Sequence, residues 1–234
     1  MVQYTEWRSI SDGSIISSIP DTSMFQDTIY QWWAEAGIDV GDGEEAGTWE
    51  DQLSQIVSSS EGSPTFREDQ DGFPAVEFDG SNDGHNWDSD SQLPTGNDPF
   101  SVAVMFQVND NNDDSTMVSW GEANEGDGFY FEVDNGGLRA HIWGQPSIDG
   151  GSVTENQIHT AGVSFDGSEF TIYLDGSEVG SGSVSASIAD DNHAIGWTRF
   201  DSRLYFNGYI YEVLPSGTDE DEQAFSDYHD DRLE

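Results

Sequence analysis

Two short segments, GFYFEVD (128–134) and LRAHIW (138–143), hold the side chains best suited to ligand chemistry. Read as neighbouring strands, each turns alternate residues to opposite faces. Phe129, Phe131, Val133, Leu138, Ala140 and Ile142 then point to a core. Tyr130 and Glu132 on one strand face outward beside Arg139, His141 and Trp143 on the other. Aromatic plates, a carboxylate and a bidentate guanidinium donor can stack on a sugar ring and hydrogen-bond its hydroxyls. The same five residues also fit an ordinary sheet face, with a cross-strand salt bridge and aromatic neighbours. Trp87 with His85, Trp120 and Trp197 lie near Gly- and Asp-rich turns and are secondary candidates. Such residues more often pack loops than hold ligands.

Other chemistries find less support. Retaining glycoside hydrolysis needs an acid and a nucleophile roughly 5–5.5 Å apart. The best local carboxylate pair is Glu132-Val133-Asp134, but with 47 Asp and Glu residues chance pairs are everywhere. Glu220-Asp221-Glu222 sits where helix capping explains it. No G-x-S-x-G elbow, His-x-x-x-His pair or phosphate-binding G-x-x-x-x-G-K-[ST] loop occurs. There are no cysteines, which excludes disulfides, zinc–thiolate sites and thiol nucleophiles. Asp110-Asn111-Asn112-Asp113-Asp114 and Asp79…Asn82-Asp83 are oxygen-rich loops of the kind that take Ca²⁺, yet neither has the D-x-[DN]-x-[DN]-G pattern with its distal Glu. No metal ligand or other cofactor is assigned.

The elements that must position these residues are strands. Short apolar runs alternate with Asp-Gly and Asn-Gly turns, clearest at Asp71-Gly72, Asp79-Gly80, Asp166-Gly167, Asp175-Gly176 and Asn207-Gly208. Residues 161–181 read as a three-strand meander. Ala161, Val163 and Phe165 share one face of its first strand, and Phe170, Ile172 and Leu174 one face of its second. The continuous apolar run 99–108 suits a central strand. One helix is signalled at the C-terminus, with Thr218 as N-cap, Asp221 completing a capping box, and Ala224, Phe225, Tyr228 and Leu233 along one side. A weaker helix candidate is 27–36.

The formal net charge is −41, from 47 acids against six Arg and no Lys. Such a surface repels itself, and molar salt, with a Debye length of about 3 Å, removes most of that repulsion. Acids spread along the chain therefore report a high-salt solvent, as in halophilic archaea and their viruses. Nucleic-acid binding is disfavoured, because phosphate contacts need clustered cations. No segment approaches the roughly 18 apolar residues of a membrane span, and the first residues show no export signal. Residues 1–28 form a distinct segment. The first twenty carry only Glu6 and Asp12 as acids, beside Ile10, Ile15, Ile16 and Ile19. They are expected either to lie on the domain as a first strand or to serve as an attachment or oligomerisation segment, since depletion of charge marks interface cores.

The segments occur in a recognisable order. IYQWWAEAGIDV with GTWEDQLSQ places Trp49 and Asp51 in a W-x-D position. SPTFRED…GFPAVEFDGSND, FSVAVMFQV, the Y-x-D-G hairpin of HTAGVSFDGSEFTIYLDGSEVGS, and AIGWTRFDSRLYFNGYIYEVLPSG follow. This set resembles the laminin-G-like, concanavalin A-like lectin/glucanase domains over 29–234. The resemblance implies an all-β, two-sheet antiparallel jelly-roll sandwich with a short C-terminal helix. Relatives of this kind bind glycans or proteins, and some related domains are glycosidases with three carboxylates on one strand. The third is missing here, where Gly136 and Gly137 stand.

The expected function is a non-enzymatic surface recognition or decoration module at a virion surface: a head decoration, turret, spike or tail-fibre protein of a halophilic archaeal virus. It would contact host glycans, and other virion proteins or its own copies through residues 1–28 as a homo-oligomer. A secreted or cell-surface carbohydrate-binding domain is the alternative, and a concanavalin A-like glycoside hydrolase a third. Imaging of native particles tests the virion setting. The chain is expected on a capsid or tail, and finding it only free in the medium or on cells overturns that setting.

Overall fold

The computed structural model describes residues 22–87, 92–111, 114–201 and 204–233. In chain order the first elements are β1 (Trp32–Trp33), α1 (Ala34–Gly37), β2 (Thr48–Glu50), β3 (Val57–Glu61), β4 (Thr65–Gln70), β5 (Phe73–Asp79), β6 (Gly84–Trp87), β7 (Phe100–Val108) and β8 (Ser115–Gly121). There follow β9 (Gly128–Asp134), β10 (Gly137–Ile142), β11 (Ile148–Gly150), β12 (Ile158–Phe165), β13 (Glu169–Leu174), β14 (Ser177–Ser183), β15 (His193–Ile195), β16 (Asn207–Ser216) and α2 (Glu222–Leu233). They form two antiparallel sheets. One runs β14-β13-β12-β7-β16-β5-β4, with β1 added on β16; the other runs β11-β10-β9-β8-β15-β6-β3-β2. This is the expected two-sheet sandwich with a C-terminal helix.

The sheets hold together because one face of each strand is apolar. Phe100, Val102, Val104, Phe106 and Val108 of β7 meet Phe129, Phe131 and Val133 of β9 in a single buried cluster. Fully burying one such side chain contributes roughly 1.5–3 kcal/mol. β7 lies in the middle of its sheet, between β12 and β16, and all nine of its residues are buried. The meander is β12, β13 and β14, with Ala161, Val163, Phe165, Phe170 and Ile172 inside and Leu174 partly buried. Trp49 of the W-x-D segment is a core residue, and the buried Asp51 carboxylate accepts from the backbone N–H groups of Gln31, Leu53 and Ser54.

Three expectations are corrected. Residues 27–36 are not a helix. Tyr30, Trp32 and Ala34 all join the core between the sheets, while Gln31, also buried, is bonded to Glu212 instead, a two-residue alternation that suits an extended chain. Trp32 and Trp33 pair with Val213 and Glu212 of β16, and only Ala34–Gly37 makes a helical turn. Asn207-Gly208 is not a turn but the start of β16, paired with β5 on one side and β7 on the other. Gly is required there because a Cβ at 208 would lie 2.1 Å from the Gln107 carbonyl oxygen. The C-terminal helix begins at Glu222, and its cap is Asp221, whose Oδ1 accepts from the Ala224 N–H at 3.1 Å. Thr218 instead donates to Glu220 Oε1 at 2.6 Å. The Glu220 N–H is held by Ser101 Oγ at 2.7 Å, which delays helix entry.

The helix covers the outer face of the β7 sheet. Phe225 stacks on Tyr173 at 4.2 Å and fits where Gly162 has no side chain. Beneath it Glu212 and Arg232 form a buried pair, with Nε–Oε2 at 2.7 Å and Nη2–Oε1 at 3.1 Å. Tyr228 and Gln31 complete the Glu212 carboxylate at 3.1 and 2.8 Å. Residues 22–28 pack on the same helix, with Phe25 edge-on to Phe225 and Tyr228. The rest of the expected attachment segment, residues 1–21, lies outside the described residues. No helix among the described residues is long and apolar enough to cross a membrane.

Removing one partner of a buried ion pair strands the other charge, a loss of about 3–5 kcal/mol. Arg232→Met is expected to lower stability by that amount in urea titrations at molar KCl. The double variant Glu212→Gln/Arg232→Met is expected to recover most of it.

Candidate ligand site on the outer face of β9 and β10

The β9–β10 hairpin is set by Asn135-Gly136, both in left-handed backbone at φ +48 and +80. This is the two-residue turn whose twist matches that of antiparallel strands. It pairs Arg139 with Glu132 and His141 with Tyr130. Phe129, Phe131, Val133, Leu138, Ala140 and Ile142 are all in the core. The alternation read from sequence therefore brings Tyr130, Glu132, Arg139 and His141 to one outer face, with Trp143 just beyond the end of β10.

That face is partly roofed. The connection between β15 and β16 folds across it. Ser119 Oγ of β8 donates to the Trp197 carbonyl at 2.9 Å. Trp197 sits against Gly84 and stacks on Tyr205 at 5.5 Å. Phe200 fills the space above Gly128, where a Cβ would lie 2.9 Å from its ring. Its centroid is 6.0 Å from Tyr130 and 5.9 Å from Trp143, edge-to-face with the latter. Tyr130, beside Phe200, and Glu132 are buried, at 5% and 2% exposure. Arg139, His141, Trp143 and Phe200 remain partly exposed. The five predicted residues are thus together, but three of them reach solvent and two are buried.

Arg139 is the electrostatic hub. Its Nε donates to Asp149 Oδ1 of β11 at 2.8 Å, Nη2 is paired with Asp134, and Nη1 lies 3.8 Å from Glu132 Oε1. Burial acts to raise Asp134, but the Asn135 amide that donates to it and the charge of Arg139 hold it below the usual carboxylate range. Glu132 goes the other way. Burial, and then the charge of Asp114, push it to about 8, and Arg139 offsets only part of this. Glu132 Oε2 has no hydrogen-bond partner among the described residues, nor has Thr116 Oγ1, its cross-strand neighbour.

His141 is locked as a neutral ring. Its Nε2 faces the Gln145 carbonyl at 2.8 Å and must carry the proton, so Nδ1 accepts from the Tyr130 hydroxyl. Burial lowers His141 below the ordinary histidine range and raises the Tyr130 phenol above its own. Both groups are hydrogen-bonded scaffolding here, and neither is poised for proton transfer.

The secondary candidates belong to the packing. Trp87, Trp120 and His85 are buried between the sheets, and burial pushes His85 down to about 3. The Asp79…Asp83 loop spends its oxygens on turns: Asp79 accepts from Ser81 and Asn82, Asp83 from Ser63 and Asp79. Asp110 and Asp114 line a cavity of about 440 Å³ with Ser115, Asp201, Leu204 and Tyr205. Asn112 and Asp113 lie outside the described residues. Among the described residues no three His, Cys, Asp or Glu side chains form a metal-binding group. Sequence reasoning missed Phe200, Asp134 and Asp149 as parts of this face. Phe200 stands in a connection without periodicity and Asp149 on a three-residue edge strand, so neither carries a pattern signal.

Two packed antiparallel sheets with a polar, aromatic-edged outer face define a lectin-like sandwich. The family model for the concanavalin A-like lectin/glucanases superfamily, of laminin G type, matches residues 79–214. The chain belongs to that superfamily. No curated protein matches the sequence. Among solved structures, domain 4 of an extracellular arabinanase from Geobacillus stearothermophilus, in complex with arabinotriose, is similar at a TM-score of 0.66 and 15% identity, covering 87% of this chain and 98% of that one. The botulinum neurotoxin serotype D/C binding domain is similar at 0.65 and 9% identity, covering 87% and 52%. A carbohydrate-binding module of a Ruminococcus gnavus sialidase, bound to α2,3-sialyllactose, is similar at 0.50 and 13% identity, covering 56% and 82%. At these identities the likeness is one of fold.

A carboxyl whose folded pKa is raised from 4.5 to about 8 favours the folded state at low pH. Its contribution is full below the unfolded pKa and is lost as pH rises toward the folded value. Wild-type stability is therefore expected to fall between pH 5 and pH 8. Glu132→Gln is expected to flatten that slope and to melt higher than wild type at pH 8 but not at pH 5, read by calorimetry in molar KCl.

Proposed function

We propose that this chain is a non-catalytic glycan-recognition module whose ligand lies against Trp143 and Phe200, beside His141 and Arg139. The observation that carries the reading is the edge-to-face corner of Trp143 and Phe200, partly exposed and 5.9 Å apart, next to a fixed guanidinium. Aromatic faces stack on the C–H surface of a sugar ring, while carboxylates and N–H groups around them take its hydroxyls. The similar arabinanase domain is in complex with arabinotriose, and the sialidase module is bound to sialyllactose. These support a glycan as the class of ligand. A non-catalytic role is supported by the engagement of Asp134 with Arg139, which leaves Glu132 without a free carboxylate partner beside it on β9. The setting we propose is an exterior surface in molar salt, such as a virion of a halophilic host. A net charge of −41 without Lys supports the salt, and the virion is one exterior surface consistent with it.

Binding to a glycan array at molar KCl tests the reading. Trp143→Ala and Phe200→Ala are each expected to weaken the best ligand about tenfold, or about 1.4 kcal/mol, with an unchanged circular dichroism spectrum. No binding across the array, or binding indifferent to both variants, overturns it.

A further inference from the structure

We propose that this face selects uncharged, hydroxyl-rich glycans and rejects carboxylated ones such as sialic or uronic acids. The inference rests on the glycan reading above and goes on to name the class of sugar.

A site that captures a sugar carboxylate needs a guanidinium with a free pair of N–H groups, because the strong contact is the two-pronged one. The Nε–Nη2 edge of Arg139 is already taken, which leaves only Nη1, turned toward the buried Glu132. Asp149 takes Nε at 2.8 Å, Asp134 takes Nη2, and Glu132 stands 3.8 Å from Nη1. An incoming carboxylate would have to displace a carboxylate already in place. Arg199, next to Phe200 in the chain, is also engaged within the protein. His141 does not replace it, since neither ring nitrogen is free for a ligand: one faces the Gln145 carbonyl and the other the Tyr130 hydroxyl.

An uncharged sugar meets none of these obstacles. Its hydroxyls are donors, and the face is rich in acceptors. Asp149 has a side chain 67% exposed to solvent, so a hydroxyl can reach its carboxylate while Oδ1 keeps Arg139. Trp143 and Phe200 need only the C–H face of the ring, which every pyranose or furanose has.

The discrimination is expected to survive high salt. At 1 M salt the Debye length is about 3 Å, so the diffuse negative field of the protein is screened. What remains is the occupation of Arg139 by direct contact, which salt of this strength does not remove. Asp149 is the partner of Arg139 that can be released with least disturbance, because it stands exposed on the edge strand β11.

Isothermal titration in 2 M KCl of arabinotriose and lactose, against α2,3-sialyllactose and a trigalacturonate, is the test. Wild type is expected to bind at least one uncharged sugar tenfold or more tighter than either carboxylated one. Asp149→Ala is expected to shrink that ratio several-fold by freeing Nε of Arg139. Carboxylated sugars bound as tightly as uncharged ones by wild type would overturn the selectivity and leave the glycan reading standing. An unchanged ratio in Asp149→Ala would overturn the occupied-guanidinium cause. Failure of all four sugars, with none bound on the array either, removes both readings together.

Discussion

A chain with 47 carboxyl groups and six guanidinium groups cannot be held together by ion pairs. Apolar burial between the two sheets must hold it, and this layer is the interaction on which the other features depend. It tolerates the charge because the acids stand mostly on turns and outer faces, in contact with solvent and salt. The inner faces are aromatic and β-branched, with Trp32, Trp49, Trp120, Phe100, Phe106, Phe129 and Phe131 all fully buried. Hydrophobic attraction of this kind does not depend on the sign of the surface, and kosmotropic salts strengthen it.

Against that background the placement of arginines gains meaning. Arg232 stands under the C-terminal helix against the buried Glu212, and Arg139 stands on the outer face of β10 against Asp134, Asp149 and Glu132. Each sits where a carboxylate has been drawn out of water. Glu132 shows how far the supply falls short: burial and then the charge of Asp114 push it up to about 8, and Arg139, shared with Asp134 and Asp149, offsets only part of this.

Much of this architecture was readable from residue order. The period-two pattern of β9 and β10 placed Glu132 opposite Arg139 and Tyr130 opposite His141 because a one-residue slip would expose Phe129 and Phe131. The same logic fixed β7, β12 and β13. Where it failed, a tertiary contact decided. Residues 27–36 carry enough helix formers to suggest a helix, yet β16 offers Trp32 a partner strand and the core takes Tyr30 and Trp32 from alternate positions. Thr218 is a good cap, but Ser101 holds the chain extended until Asp221. Burial of Tyr130 was invisible in the sequence, since the side chain beside it, Phe200, arrives from a connection some seventy residues away with no periodic signature.

The notch at Gly128 makes that connection a separable part. Phe200 is seated by shape, in a space left by a missing side chain, and not by a covalent or ionic tie to β9. The sheet supplies a standing socket and the β15–β16 connection the fitting. This connection can therefore vary in sequence while the strands that keep the domain folded stay as they are.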